Sequence, residues 1–217
     1  MKVKKIIDLT IPLAEEIPVF PGDPQPSFDK IRFVEEDGYN LSVLHLGTHS
    51  GTHVDAPNHF FQNGKKIDEV PLQQFIGRGV IFEVRGKEKS SPITIEDVKQ
   101  TLTTVEAGDI ALFHTGWMEY LGTEQYFEHP YIELTVIKEL MKRGVKSIFI
   151  DTMNIDPPDG SSYAGHRALL SSGGIIGENI CNLDQIDFDN PLIVAAPLKI
   201  VGLDGSPVRA VALHFEF

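Results

Sequence analysis

Cysteine is nearly absent from the sequence, which has 217 residues and a single thiol at Cys181. One cysteine excludes an internal disulfide and is typical of proteins from a reducing compartment, so a cytoplasmic location is expected. It also excludes a structural zinc site closed by several cysteines. A lone thiol beside Asn182 is more typical of a packed core residue than of a nucleophile.

Basic residues are scarce as well. Lys and Arg number 19 against 31 Asp and Glu, which gives a formal net charge of −12. This balance argues against nucleic acid or an anionic membrane as a partner, because both are bound by clustered positive charge. It also predicts a small-molecule substrate that is not strongly anionic.

Long apolar segments are missing too. No stretch reaches the roughly 18 apolar residues that a membrane span needs, and the first residues lack the apolar core of a signal peptide. Repeats, low-complexity linkers and shifts in composition are likewise absent, so one domain over residues 1–217 is expected. The 41% hydrophobic and 23% charged residues are ordinary for a globular enzyme.

The most informative segment is the run from His49 to His59, which reads HSGTHVDAPNH. A helix is disfavoured there, because Gly51 and the β-branched Val54 are poor helix formers and Pro57 disfavours a helical conformation before it. An extended conformation is predicted instead.

In an extended chain, alternate side chains share one face, and the candidate ligands of this run all fall on it: His49, His53, Asp55 and His59. A straight strand would still separate His49 from His53 by roughly 13 Å, too far for one metal ion. The chain must therefore bend between them, and Gly51 is the residue where a bend costs least.

Imidazole and carboxylate together are ligands of zinc, manganese or iron(II), and a set of this size leaves room for water. The alternative is that these are polar loop residues with histidines that serve packing. Three histidines in phase with an aspartate favour the metal site. Catalysis by a serine is not indicated, because no Gly-x-Ser-x-Gly motif is present.

The run resembles the His-x-Gly-Thr-His-x-Asp-x-Pro-x-His signature of the cyclase-like metal-dependent hydrolases, a family that includes bacterial kynurenine formamidases and isatin hydrolases. The resemblance extends over nearly the whole chain. It implies an α/β fold, a single mixed-sheet domain similar to the swivelling β/β/α type. It also implies a homo-oligomer, at least a dimer, with residues 18–24 near a subunit boundary.

The resemblance further implies two divalent metal ions, zinc being expected and manganese the alternative. The implied ligands are His49, His53, Asp55, His166 and Glu178, with the two carboxylates bridging. Two such ions can share a hydroxide and polarise a carbonyl group. The last histidine of the signature, His59, is implied as the general acid or base, since an imidazole can take a proton from water and return it to a leaving nitrogen. A histidine remote from the reaction is the alternative for His59.

For the substrate, the proline-rich residues 18–24 correspond to a family loop that supplies an aromatic wall. Phe20 stands where kynurenine formamidases have tryptophan, and a phenyl ring still stacks on an aniline ring. The resemblance thus implies an arylformamidase that converts N-formylkynurenine to kynurenine and formate. Alternatives are a related hydrolase acting on a lactam such as isatin, an ester or another amide, and a non-catalytic metal-binding protein.

Hydrophobic patterns place the other elements. Strands are predicted at 6–9, 28–34, 41–46, 79–84, 109–114 and 146–151, and helices at 94–102, 134–143 and 166–170. The tail is predicted as two strands, 192–201 and 208–217, in a hairpin at the centre of the sheet. Three roles stay open: His45 as a structural residue or a ligand, Trp117 as a pocket wall or a packing residue, and Asp151 as a ligand-orienting residue or a loop cap.

Overall fold

A nine-stranded mixed sheet organises the computed structural model, which describes residues 2–216. Its strands run in the order β1-β13-β11-β5-β7-β9-β10-β4-β12. Their bounds are β1 (Lys2–Asp8), β4 (His53–Asp55), β5 (Ile76–Glu83), β7 (Ile110–His114), β9 (Ser147–Ile150), β10 (Ile175–Glu178), β11 (Leu192–Val194), β12 (Gly205–Pro207) and β13 (Val211–Glu216). Two small sheets pair β2 (Ser27–Arg32) with β3 (Leu41–His45), and β6 (Pro92–Ile93) with β8 (Tyr131–Ile132).

The central strands β5, β7, β9 and β10 are parallel, and the strands on either side of them are antiparallel. Parallel strands are covered on both faces of the sheet, so their sequences are nearly continuous apolar runs. β7 is buried at every residue, with Ala111 and Phe113 in the core on one face and Ile110 and Leu112 in the core on the other. This alternation is the reason that one strand supports two hydrophobic cores.

Helices cover one of those faces. They are α2 (Ile95–Leu102), α3 (Leu134–Lys142) and α4 (Ala164–Ser171), while α1 (Val34–Asp37) is a single turn between β2 and β3. Thr94 caps α2 through a capping box with Asp97. Val98, Leu140 and Leu169 carry the apolar sides of the three helices into the same core. Within residues 2–216 no helix has the length and apolar character needed to cross a bilayer.

The β2–β3 ribbon, residues 27–46, stands apart from this body. Its two strands pair only with each other. Eight large apolar side chains in this segment are at least 37% exposed: Ile31, Phe33, Val34, Tyr39, Leu41, Val43, Leu44 and Leu46. Clustered exposed apolar side chains of this kind are typical of interaction surfaces.

Several predicted boundaries are wrong. The strand predicted at 28–34 ends at Arg32, because residues 34–37 form α1, and α4 begins two residues before His166. The predicted pairing of the two tail strands is right, since β11 and β13 are antiparallel neighbours, but the first strand ends at Val194 and the pair lies near the β1 edge of the sheet rather than at its centre. Gly205–Pro207 pairs with β4 at one end of the sheet, whereas β13 lies between β1 and β11 near the other end. Residue 217 of that predicted strand lies outside the described residues.

Candidate metal centre

Strand register brings the first three site residues together. His53 and Asp55 point to the same face of β4, and Glu178 of β10 is the direct antiparallel partner of His53. Residues opposite each other in such a pair have their Cβ atoms about 4.5–5.5 Å apart. The side chains of all three are at most 7% exposed. The predicted extended conformation therefore holds for residues 53–55 but is wrong for Pro57–His59, which form a turn of 3-10 helix after β4.

The predicted bend is at Gly51, which adopts a left-handed φ of 64°. A side chain there would be strained, and its Cβ would come within 3.2 Å of Leu13. The Gly51 carbonyl accepts a hydrogen bond from His53 Nδ1 at 2.8 Å. This bond turns the other ring nitrogen of His53, Nε2, towards the two carboxylates.

His166 reaches the same point from α4. Asp156 accepts the backbone N–H groups of Gly165 and His166 and also His166 Nδ1, at 2.7 to 2.9 Å. Asp156 thereby caps the positive N-terminal end of α4 and at the same time fixes the orientation of the His166 imidazole. Any side chain at 165 would place a Cβ 2.7 Å from Asp156 Oδ1, so glycine is required.

The two histidines and the two carboxylates form a closed set. His53 Nε2 lies 3.4 Å from Asp55 Oδ1 and from Glu178 Oε2. His166 Nε2 lies 3.5 Å from Asp55 Oδ2 and from Glu178 Oε1. Ligand atoms bound to zinc at 2.0–2.2 Å in a tetrahedron are about 3.3–3.5 Å apart. His53 Nε2 and Asp55 Oδ2 are buried without a hydrogen-bond partner among the described residues, so this donor set fits a metal ion.

The electrostatics of the centre also favour a cation. Burial lowers the pKa of His53, but its contacts with Asp55 and Glu178 outweigh burial and raise that pKa to about 9. Burial raises the pKa of Asp55, yet His49 and His166 bring it well below the ordinary value. In the same way, burial and Asp55 raise the pKa of Glu178, and the close imidazoles of His166 and His53 lower it overall. The site therefore binds positive charge, supplied by protons or by a metal.

His49 is engaged on both sides of its ring. Its Nδ1 lies 2.7 Å from Asp55 Oδ1, and its Nε2 lies 2.9 Å from Asp204 Oδ2. Burial lowers the pKa of His49, but the two carboxylates raise it to about 10. Ligand atoms of His49, Asp55 and His59 lie within 4.8 Å of one another, which makes a second group able to hold an ion. This group includes His59, which the sequence analysis assigns to proton transfer.

A cavity of about 310 Å³ opens above the centre and is lined by His49, His53, His59, His166 and Glu178. Phe20 forms part of its wall, as predicted, and packs on the buried cluster of Trp117, Tyr126 and Met153. The Phe60 ring lies 4.9 Å from the His166 ring. Tyr163 adds a second ring, 5.6 Å from that of Phe60.

His45, Trp117 and Asp151, whose roles the sequence left open, each have a structural role. His45 is exposed on the ribbon and pairs with Asp29 at 3.1 Å. Trp117 is buried and donates its indole N–H to the Tyr126 carbonyl. Asp151 accepts the Thr115 hydroxyl and the N–H groups of Thr115 and Gly116, which makes it a loop cap.

Cys181 matches its predicted passive character, although it is half-buried rather than in the core. Burial raises the pKa of its thiol to about 11, so the thiol is poorly reactive at neutral pH.

Sequence reasoning missed Asp156, Tyr163 and Asp204. Asp156 and Tyr163 precede His166 closely in the chain, and a carboxylate that fixes a metal-binding histidine is a common requirement. The need for such a carboxylate was the sequence signal that could have identified Asp156. The sequence contains no such signal for Asp204, because only the pairing of β12 with β4 brings this residue to the site.

Comparisons with known proteins agree with this geometry. The sequence profile of the Cyclase family matches residues 7–157. A kynurenine formamidase from Bacillus thuringiensis is 31% identical over 219 residues, which cover 97% of this chain and 98% of that protein.

Solved structures give the same picture. Isatin hydrolase A from Labrenzia aggregata, bound to benzyl benzoate, is similar with a TM-score of 0.88 at 25% identity and covers 98% of this chain and 94% of that one. A predicted metal-dependent hydrolase from Bacillus stearothermophilus has a TM-score of 0.79 at 29% identity, over 96% of this chain and 98% of that one. The mixed α/β fold expected from the sequence is confirmed.

Proposed function

The chain belongs to the Cyclase family, and on that basis we propose that it is a metal-dependent hydrolase of non-peptide C–N bonds whose substrate is an N-formylated aromatic amine. One observation carries the proposal. Two buried carboxylates, Asp55 and Glu178, each lie 3.4 to 3.5 Å from the imidazoles of His53 and His166, at the base of a cavity with aromatic walls.

The cofactor that fits these residues is a pair of divalent ions, zinc or manganese. Their proposed ligands are His49, His53, Asp55, His166 and Glu178. Asp55 and Glu178 face both buried imidazoles, which suits bridging carboxylates. Divalent ions in such a site supply a Lewis acid for a carbonyl oxygen and lower the pKa of bound water.

His59 is the proposed general acid and base. Its Nδ1 faces Asp204 at 3.4 Å, and the residue lines the cavity. Hydrolysis of a formamide adds water to the formyl carbon and breaks the C–N bond. In this assignment His59 takes one proton from the water and gives it to the leaving nitrogen. The products are the free amine and formic acid, which ionises to formate.

The cavity walls support an aromatic substrate. Phe20, Phe60 and Tyr163 provide flat apolar surfaces, and aromatic pairs add about 0.5–1.5 kcal/mol beyond burial. No Lys or Arg lines this cavity among the described residues, which disfavours a strongly anionic substrate. N-formylkynurenine, the substrate of a kynurenine formamidase in tryptophan catabolism, is the proposed compound.

A lactam such as isatin is the second candidate. The similarity to isatin hydrolase A favours it, because that structure has a TM-score of 0.88 over almost the whole chain. Both reactions break a C–N bond beside an aromatic ring.

A substrate panel separates the candidates. Initial rates are measured with N-formylkynurenine, N-formylaniline, isatin and a simple ester, in added zinc or manganese. We expect the formylated arylamines to have the highest kcat/KM. Preferential turnover of isatin would replace the formamidase assignment with the lactam one, and turnover of none of them would remove both.

We also propose a cytoplasmic homodimer. The lone Cys181 is consistent with a reducing compartment.

The occupant proposed for the apolar ribbon surface is a second copy of this chain, in a two-fold interface near residues 18–24, which end just before β2. The ribbon carries charges of both signs, with Lys30 and Arg32 beside Asp29 on one strand and three acidic residues at its tip, so a contact between two copies need not join like charges; Arg32 already pairs with Asp37 within the ribbon. The acidic tip also disfavours an anionic membrane.

A further inference from the structure

Asp204 is the one carboxylate in contact with His59 among the described residues. It precedes β12, and its own carbonyl accepts the Ala56 N–H at 2.8 Å, so the C-terminal segment is tied directly to the metal run. Thr48 donates its hydroxyl to Asp204 Oδ1 at 3.1 Å. Asp204 is thus held at its backbone carbonyl and at Oδ1, apart from its contacts with histidines.

The other oxygen of Asp204 serves two imidazoles. Oδ2 lies 2.9 Å from His49 Nε2 and 3.4 Å from His59 Nδ1. The rings of His49 and His59 stack at 4.0 Å with a 36° tilt. A side chain at position 205 would place its Cβ 2.8 Å from the His49 ring, so Gly205 allows this close packing. His59 is therefore confined by a ring on one side and by a carboxylate at Nδ1.

This arrangement determines which nitrogen of His59 carries the proton. A carboxylate accepts a hydrogen bond, so Nδ1 must be the donor and Nε2 keeps its lone pair. The same logic applies when a metal-binding or catalytic histidine is oriented by a carboxylate on its other nitrogen. Here the result is an Nε2 that can accept a proton from water.

We propose that Asp204 is a positioning residue for catalysis, which holds His59 in the Nδ1–H tautomer and aims Nε2 into the cavity. This inference rests on the proposed role of His59 in hydrolysis. Asp204 touches no reacting atom and is not itself a proposed ligand, and its 2.9 Å contact with His49 is kept apart from its contact with His59 by testing metal-saturated protein.

The first test needs no activity. The protein is labelled with ¹⁵N-histidine, and the nitrogen shifts of His59, identified by their loss in His59→Ala, are measured in wild type and in Asp204→Ala. We expect protonated Nδ1 and bare Nε2 in the wild type, and a shift of population towards the Nε2–H tautomer in the variant. An unchanged tautomer in Asp204→Ala would overturn the proposal. Asp187→Ala, which removes an exposed carboxylate paired with Lys5, is the matched control.

A double-mutant cycle provides the second test, with whichever amide or lactam the wild type hydrolyses. With every protein saturated with added zinc, Asp204→Ala should lower kcat about tenfold with little change in KM, but less than about twofold in a His59→Ala background. A residue that acted only on stability or metal retention would lower kcat by a similar factor in both backgrounds, and that outcome would contradict the proposal. Failure of the formamidase assignment would appear separately, as a different preferred substrate.

Discussion

His53 and Glu178 face each other across β4 and β10, with His53 Nε2 3.4 Å from Glu178 Oε2. In the metal-free protein this contact, together with Asp55, raises the pKa of His53 from 6.5 to about 9. The extra proton affinity stabilises the fold only while His53 is protonated.

The metal-free protein should therefore lose stability at alkaline pH. The pKa of His53 is higher in the folded than in the unfolded protein. Its contribution to the free energy of unfolding is therefore fully present below pH 6.5 and is lost as the pH rises through about 9. With a chelator present, we expect the unfolding temperature to fall between pH 6.5 and 9, as measured by calorimetry. Added zinc should reverse this fall, since metal binding needs neutral imidazoles and becomes stronger as protons leave. A flat or rising unfolding temperature in the chelated protein would contradict this reading.

His59→Ala separates proton transfer from metal binding. If His59 transfers protons, the variant keeps its metal and its turnover falls by about a hundredfold or more. Metal content by elemental analysis and kcat are measured on the same samples. His45→Ala, which changes an exposed histidine of the ribbon, is the control. Equal metal loss in His59→Ala and His53→Ala would instead make His59 a ligand, as its place in the group with His49 and Asp55 allows.

The sequence predicted the backbone of residues 51–55 correctly because its signal is local. The alternation of His53 and Asp55 and the bend at Gly51 depend on neighbouring residues only. The contribution of His166 and Glu178 came from the family resemblance, because no local pattern links them to β4. Asp204 was missed for the same reason: its position depends on a strand pairing between distant parts of the chain.

The tail shows the same limit for the fold. Residues 192–217 alternate well enough to suggest a hairpin, and β11 does pair with β13, but the connection between them forms β12 against β4, and β13 pairs with β1 on its other side. Strand partners are chosen by packing across the whole sheet, which a local hydrophobic pattern does not encode.

Phe20 tests the aromatic wall. Phe20→Ala removes a ring that lines the cavity, so KM for N-formylkynurenine should rise about two- to tenfold, from the ~0.5–1.5 kcal/mol of an aromatic contact. Metal content should stay unchanged. Phe20→Trp keeps a ring and should retain or improve activity. If neither change affects KM and aliphatic amides react equally well, the loop does not form the substrate wall.

The ribbon surface predicts the oligomeric state. Light scattering at micromolar concentration should give a dimer for the wild type. Leu44→Asp places a charge on the ribbon and should yield monomers, whereas Leu198→Asp, at a similarly exposed leucine outside it, should remain dimeric. A monomeric wild type would refute the dimer, and a dimeric Leu44→Asp would place the interface elsewhere.

The central claim is that the centre holds metal and that hydrolysis depends on it. Protein purified without chelator is analysed for metal, then stripped and titrated with zinc or manganese while hydrolysis of N-formylkynurenine is followed. We predict about two ions per chain, activity that rises with the ions restored, and loss of both metal and activity in His53→Ala. Less than half an equivalent of metal, with none regained on soaking, or full activity in the stripped protein, would contradict the account.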